Sequence, residues 1–279
     1  MSPDEIFVEA DKRGVKYLSI TDHDSIECQE SALKLAAEYG IGYLTGLELN
    51  ISFSHPRFRQ GKAVSLDLLG YQIDINYSPL VKKLVALRDF RRTRAEKIME
   101  KINEEFTKEG RELFTERDML EIESTVDGAF GRPHMANYMV AKNIVATRQE
   151  AFDRYLVKCN VPKMPVSLAE ASELVRGAGG KVFLAHPADP NGTSLMAFTG
   201  EINEQINIIQ EDMMPFIDGI ECWHSRHEQN TRDAFLNFAK KNGLMTSGGS
   251  DCHQNPIILG SLDIPADVIR QFGFEIEGG

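Results

Sequence analysis

A β/α barrel interrupted by a helical segment is the architecture this sequence predicts, and three observations predict it. Apolar runs of strand length alternate with helical periodicity in both the first and the last third of the chain. Residues 79–165 break that rhythm with charged helical patterns such as Leu80, Leu84, Leu87, Arg91, Arg92 and Arg94. Imidazoles and carboxylates gather at the predicted strand ends, where such folds carry out chemistry. The resulting division is 1–78, a first barrel half; 79–165, an inserted helical subdomain; and 166–279, a second barrel half.

The bulk properties set the frame. At 279 residues with 42% hydrophobic content, the chain can bury a sizeable core. A net charge of −11 argues against an extended nucleic-acid surface, which needs clustered Lys and Arg. The apolar runs fall short of the roughly 18 residues that cross a bilayer. No basic segment followed by an apolar stretch opens the chain, so no signal peptide is predicted. Cys28, Cys159, Cys222 and Cys252 are scattered without a CxxC pair, which fits a reducing, cytoplasmic compartment.

Taken in order, Ser2-Pro3-Asp4-Glu5 is a helix start, with Ser2 as cap, Pro3 in the first turn and Glu5 completing a capping box. A helix therefore precedes the first strand, residues 17–20, where a β/α fold would place a strand first. Thr21-Asp22-His23-Asp24 follows, offering hard oxygens and an imidazole that suit Zn²⁺, Mn²⁺ or Fe²⁺. The same four residues also read as an Asx-turn leading into the next helix, residues 27–39. A second strand, 41–47, ends at Gly46-Leu47-Glu48. A loop or hairpin end containing His55 and Arg57 leads to a third strand, 63–71, which carries Asp67. In the helical segment, Gly131-Arg132-Pro133-His134 marks a helix N-terminus and reads either as an anion site or as an exposed turn. The rhythm then resumes. Strand 181–184 runs into Ala185-His186-Pro187, strand 218–222 into Trp223-His224-Ser225-Arg226-His227, and strand 244–246 into Gly249-Ser250-Asp251-Cys252-His253. This makes six predicted strands, with no internal repeat.

The chain has seven His, and His23, His186, His224 and His253 all fall at or near a predicted strand end. His227, Glu48 and Asp251 sit in similar positions. Several converging polar groups are poorly explained by packing, because each must be satisfied. Gly248-Gly249 lets the backbone approach such a site closely. The constellation predicts a metal cluster.

The order of Thr21-Asp22-His23-Asp24, Gly46-Leu47-Glu48, Gly131-Arg132-Pro133-His134, Ala185-His186-Pro187 and Gly249-Ser250-Asp251-Cys252-His253 resembles the PHP (polymerase and histidinol phosphatase) family. Arg-Pro-His within a helical insertion resembles its TrpH-like branch of metal-dependent phosphoesterases. The resemblance implies a distorted (β/α)7 barrel, TIM-like, holding up to three divalent metal ions (Mn, Zn or Fe). It makes Glu48 the carboxylate bridging two metals, joined by Asp251 on the first and His186 on the second, with His23 and His253 on the third. It assigns Arg132 and His134 to the substrate phosphate and His227 and His224 to the substrate pocket, with His134, His227 and Arg132 catalytic. Asp22 and Asp24 orient ligands.

Two departures from the family pattern stand out. The family opens with a strand carrying His-x-His, whereas this sequence opens at Met1-Ser2-Pro3-Asp4-Glu5. The resemblance therefore implies a missing first strand, fewer bound metals and impaired activity. Asp67 also stands where branch members place a His, and a carboxylate can serve a hard metal there. The expected chemistry is hydrolysis of small phosphate esters, namely nucleoside monophosphates, nucleoside 3′,5′-bisphosphates or short oligonucleotide ends. Two alternatives are a catalytically degenerate barrel that binds a nucleotide or partner, and an amidohydrolase-like C–N hydrolase. Arg132-Pro133-His134 favours phosphate.

Overall fold

The computed structural model describes residues 1–125, 130–253 and 256–275. The chain forms two compact units. One comprises Met1–Val81 together with the chain from Pro165 onward, and the other comprises Lys82–Met164.

The first unit begins with α1 (Pro3–Lys12). Ser2 Oγ accepts the Glu5 N–H, and Glu5 Oε2 accepts the Ser2 N–H at 2.8 Å, which is the reciprocal cap the sequence predicts. Then come β1 (Tyr17–Leu18), α2 (Gln29–Tyr39), β2 (Gly42–Tyr43), β3 (Gly46–Phe53) and β4 (Val64–Tyr71). The second unit holds α4 (Glu116–Glu123), α5 (Arg132–Ala141) and α6 (Arg148–Ala151), preceded by the 32-residue α3 (Ser78–Glu109). Its core packs Ile98, Ile102, Phe106, Met139, Tyr155 and Leu156. The first unit resumes with α7 (Leu168–Gly177), β5 (Lys181–Leu184), α8 (Ile202–Ile208), β6 (Gly219–His224), α9 (Gln229–Asn242), β7 (Met245–Gly249) and α10 (Asp267–Arg270). Among the described residues, no helix is long and apolar enough to cross a membrane.

The strands depart from simple β/α alternation in three ways. The strand expected over 41–47 is two strands, so the described residues hold seven strands rather than six. β2 pairs in parallel with β1, whereas β3 pairs with β4. Thr45 makes the step between them: its hydroxyl donates to the Ile73 carbonyl at 2.7 Å, and its carbonyl accepts the Gln72 N–H at 2.8 Å. Glu48 therefore lies inside β3, not at a strand's end.

Second, β4 runs antiparallel to both β3 and β5, while β5, β6 and β7 are parallel. The stretch between β3 and β4 is short enough for a hairpin and too short for a helical crossover. Third, the ladders form a five-stranded sheet in the order β3-β4-β5-β6-β7 and a separate β1-β2 pair. A parallel bridge, His23 to Glu48, joins the exit of β1 to β3. Among the described residues no ladder links β7 to β1.

β6 contains a register shift against β7 between Glu221 and Trp223. Side chains three apart on a regular strand face opposite sides, and one extra residue brings them to the same side. The bulge accordingly turns both Glu221 and His224 toward the polar end of the unit.

Candidate metal centre

The site is built where the exits of β1, β5, β6 and β7 meet the middles of β3 and β4. The Asp24 N–H donates to the Glu48 carbonyl at 2.7 Å, and the Glu48 N–H donates to the Asp22 carbonyl at 3.1 Å. This register places His23 Nδ1 3.2 Å from Glu48 Oε2. Asp24, at φ +47°, uses Oδ1 to accept the Asn50 N–H, so it braces β3. Asp67 is directly across the ladder from Asn50, whose amide donates to Asp67 Oδ1 at 2.6 Å. The Thr193 hydroxyl donates to Asp67 Oδ2. His186 leaves β5 at φ +25° and brings Nε2 to 3.0 Å from Glu48 Oε1 and 3.9 Å from Asp67 Oδ2.

Glu48, Asp67 and His186 are all buried. Burial, reinforced by the Asp251 charge, holds the Glu48 carboxyl well above its usual range. Glu221, on β6, accepts the His186 N–H on Oε2 at 2.8 Å. Burial pushes its carboxyl up to about 8 despite the opposing pull of His186. The close approach of β7 relies on glycine here: a Cβ on Gly249 would lie 3.2 Å from Glu221 Oε1, and one on Gly248 would lie 2.6 Å from the Trp223 Cβ.

Asp251 stands at φ +51° beyond β7. Burial alone would raise its pKa, but His224, His253 and His186 around it hold it below the ordinary carboxylate range. His253 Nδ1 lies 3.2 Å from Asp251 Oδ1, and its ring sits 5.6 Å from that of His23. His224 Nδ1 accepts the Arg226 backbone N–H at 3.3 Å, so the ring proton belongs on Nε2. That nitrogen is buried without a hydrogen-bond partner, 3.6 Å from Asp251 Oδ2.

Among the described residues, two groups of donor atoms are closely enough spaced for a cation: His23, Glu48 and Asp67, and separately Asp189, His224 and Asp251. The first suits a divalent ion, whose ligands lie roughly 3–4 Å from one another: His23 Nδ1 and Glu48 Oε2 are 3.2 Å apart. His186 lies beside it, with Nε2 3.0 Å from Glu48 Oε1, and its buried Nδ1 lacks a partner, which is uncommon for a packed polar atom. The second group fits less well, because the His224 nitrogen that faces it carries a proton and the Arg226 guanidinium already lies on Asp189.

The structure gives three further expected site residues local contacts of their own. His227, expected in the substrate pocket, is committed to the backbone. Its Nδ1–H donates to the Cys222 carbonyl at 3.0 Å, and its Nε2 accepts the Ala188 N–H at 3.3 Å. Burial lowers its pKa to about 4, so it is a neutral clamp rather than a proton donor. Arg132 and His134 belong to the helical unit. Arg132 Nη1 donates to the Leu156 carbonyl at 3.1 Å and the guanidinium covers the Phe152 ring, while His134 Nδ1 accepts the Gly131 N–H at 3.2 Å. Sequence reasoning missed Glu221, Asp189 and Arg226. A carboxylate inside the apolar run Gly219-Ile220-Glu221-Cys222-Trp223 was the readable signal for the first.

No family model matches the chain. A 5′-3′ exoribonuclease of Haemophilus influenzae is 26% identical over 91% of this chain and 85% of its own length. A 3′,5′-nucleoside bisphosphate phosphatase of Chromobacterium violaceum is 25% identical over 91% of this chain and 82% of its own. The 5′-3′ exoribonuclease Rnm of Escherichia coli is 22% identical, covering 91% and 80%. Among solved structures, a protein of Bifidobacterium adolescentis described as a candidate metal-dependent phosphoesterase superposes with a TM-score of 0.75 at 27% identity, covering 97% of this chain and 89% of that one. A Chromobacterium violaceum protein described as an amidohydrolase, with sulfate and no metal, gives a TM-score of 0.75 at 23% identity, covering 98% and 90%, and speaks to the fold alone. The chain thus stands among hydrolases that act on phosphate ester bonds.

Proposed function

We propose that this chain hydrolyses small phosphate esters with divalent metal ions, its substrates being nucleoside monophosphates, nucleoside 3′,5′-bisphosphates or the ends of short oligonucleotides. The observation that carries the reading is the meeting of a partly exposed His23 with the buried Glu48, Asp67 and His186, with Glu48 3.0–3.2 Å from both imidazoles. The relatives named for exoribonuclease and bisphosphate phosphatase activity support the nucleotide end of the substrate range. The net charge of −11 favours small molecules over long nucleic acid.

In this reading Glu48 holds two ions, Asp251 joins it on the first, Asp67 and His186 on the second, and His23 with His253 take a third. Manganese, zinc or iron suits this mixed nitrogen and oxygen set. When bound, two close ions lower the pKa of an attacking water and stabilise charge on the attacking and leaving oxygens. The chain's own groups do the rest. Glu221 and Asn50 fix the His186 backbone and the Asp67 carboxylate. His224 keeps a proton on Nε2 beside Asp251. Arg132 and His134 are assigned to the substrate phosphate, supported by the motif Gly131-Arg132-Pro133-His134 at the start of α5.

The test is release of phosphate from adenosine 3′,5′-bisphosphate with Mn²⁺. We expect activity that EDTA removes and that Asp67→Asn lowers at least tenfold. Release indifferent to EDTA, or cleavage of cyclic amides in preference to esters, overturns the proposal.

A further inference from the structure

Arg226 and Asp189 form a pair that the metal reading leaves without a role. Asp189 lies in the loop after β5 and is 1% exposed. Its Oδ1 accepts the Asn191 N–H at 2.9 Å, and its Oδ2 accepts from Arg226 Nη1. The loop carrying it is clamped by His227, which accepts the Ala188 N–H. Arg226 follows β6, and its side chain is 44% exposed. Its Nη1 also lies 4.0 Å from Asp251 Oδ2, so the guanidinium stands at the rim of the candidate metal centre.

The geometry of this pair is selective. Only Nη1 of the guanidinium is engaged, and among the described residues Nε and Nη2 have no protein partner. Those two donors form the edge of arginine that takes two oxygens of a phosphate in parallel hydrogen bonds. A buried carboxylate that orients a half-exposed arginine limits its rotamers and presents that edge ready-made. A purely structural ion pair gains nothing from keeping its bidentate edge open beside a cluster of carboxylates.

Resting on the phosphoesterase reading, we propose that Arg226 is a phosphate-binding residue of the barrel unit, taking two non-bridging oxygens of the substrate phosphoryl group through Nε and Nη2. Asp189 is its positioning residue. With cations on Glu48 and Asp251, the guanidinium adds a fixed positive charge where negative charge accumulates during hydrolysis. Lysine cannot replace it, since an ammonium offers no planar fork.

The experiment measures binding of inorganic phosphate to the Mn²⁺-loaded protein by calorimetry, beside the KM and kcat for adenosine 3′,5′-bisphosphate. Arg226→Met is expected to weaken phosphate binding and raise KM at least tenfold, with Mn²⁺ stoichiometry unchanged. Arg226→Lys is expected to recover less than half of that loss. Because removing Arg226 alone leaves Asp189 buried and uncompensated, the double variant Asp189→Asn with Arg226→Met is measured as well and is expected to show the same loss in a stably folded chain. Asp189→Asn alone keeps the charge but frees the fork, and is expected to weaken phosphate binding severalfold. Phosphate affinity and KM that are unchanged in the double variant overturn the Arg226 assignment while leaving hydrolysis intact. A parent protein that neither binds phosphate nor releases it from the ester overturns the phosphoesterase reading instead.

Discussion

Glu221 offers a direct measure of how much negative charge the site confines. Its carboxyl is buried on β6, accepts the His186 N–H, and is pushed up to about 8 chiefly by burial. In the unfolded chain it titrates near 4.5. Between these values the folded state holds a proton that the unfolded state has lost, so stability is greatest below about 4.5 and falls as pH rises through about 8. At about 1.4 kcal/mol per unit, the full span amounts to about 5 kcal/mol, of which about 3 kcal/mol has gone by pH 7. Glu221→Gln keeps an acceptor for His186 and removes the titration. In EDTA, urea unfolding at pH 5, 6.5 and 8 is expected to show the parent losing stability with pH more steeply than the variant. By pH 8 the variant is expected to be more stable by about 3–5 kcal/mol, relative to their difference at pH 5. Saturating Mn²⁺ is expected to flatten the parent's slope, because cations replace the proton and stabilise by mass action. Parallel pH slopes for parent and variant in EDTA, agreeing within about 1 kcal/mol, would refute the account of a charge-crowded interior.

Two further outcomes follow from groups at either side of the site. His227 is held at about 4 by burial, below its unfolded value of 6.5, so its contribution is complete above about 6.5 and is lost as pH falls toward 4. Thermal unfolding between pH 7 and 5 is expected to cost the parent about 1–2 kcal/mol more than His227→Gln, and equal losses would contradict a buried neutral imidazole. Gln29 is fully buried, donates to the Ile20 carbonyl at 2.8 Å, and accepts from the Tyr43 hydroxyl and the Gly46 N–H. Gln29→Leu strands those partners and is expected to cost about 2–4 kcal/mol in urea unfolding. It is also expected to weaken Mn²⁺ binding, since Gln29 ties the approach to His23 to the start of β3; a cost below about 1 kcal/mol would count against this.

The legibility of this site varied with the range of the interaction that makes it. His23, Glu48 and Asp67 were readable because each interrupts or ends an apolar run, a local signal. The antiparallel pairing of β4 with β5 was not, because an apolar strand carries no mark of its direction, and Thr45, which turns the chain from β2 into β3, acts through contacts with residues 72 and 73. Glu221 was hidden by arithmetic: three residues before His224, it belongs to the opposite face of any regular strand, and only the bulge reconciles the two. The Asp189–Arg226 pair joins loops that follow different strands, so neither residue announces the other. His227 lies just beyond a strand's end, and its contacts depend on which backbone groups meet its nitrogens, which composition does not encode.

Asp24, His186 and Asp251 share left-handed backbone angles that any non-glycine residue adopts at a cost of about 1–3 kcal/mol. Two of these are candidate ligands and the third braces the strand that carries Glu48. A lineage selected only for robustness would drift toward glycine or asparagine at these positions and grow hardier as it lost its donors. His and Asp at these positions carry donor atoms that glycine lacks. Laboratory evolution toward heat tolerance should then find its easiest gains at residues 24, 186 and 251, and each gain would surrender part of the site.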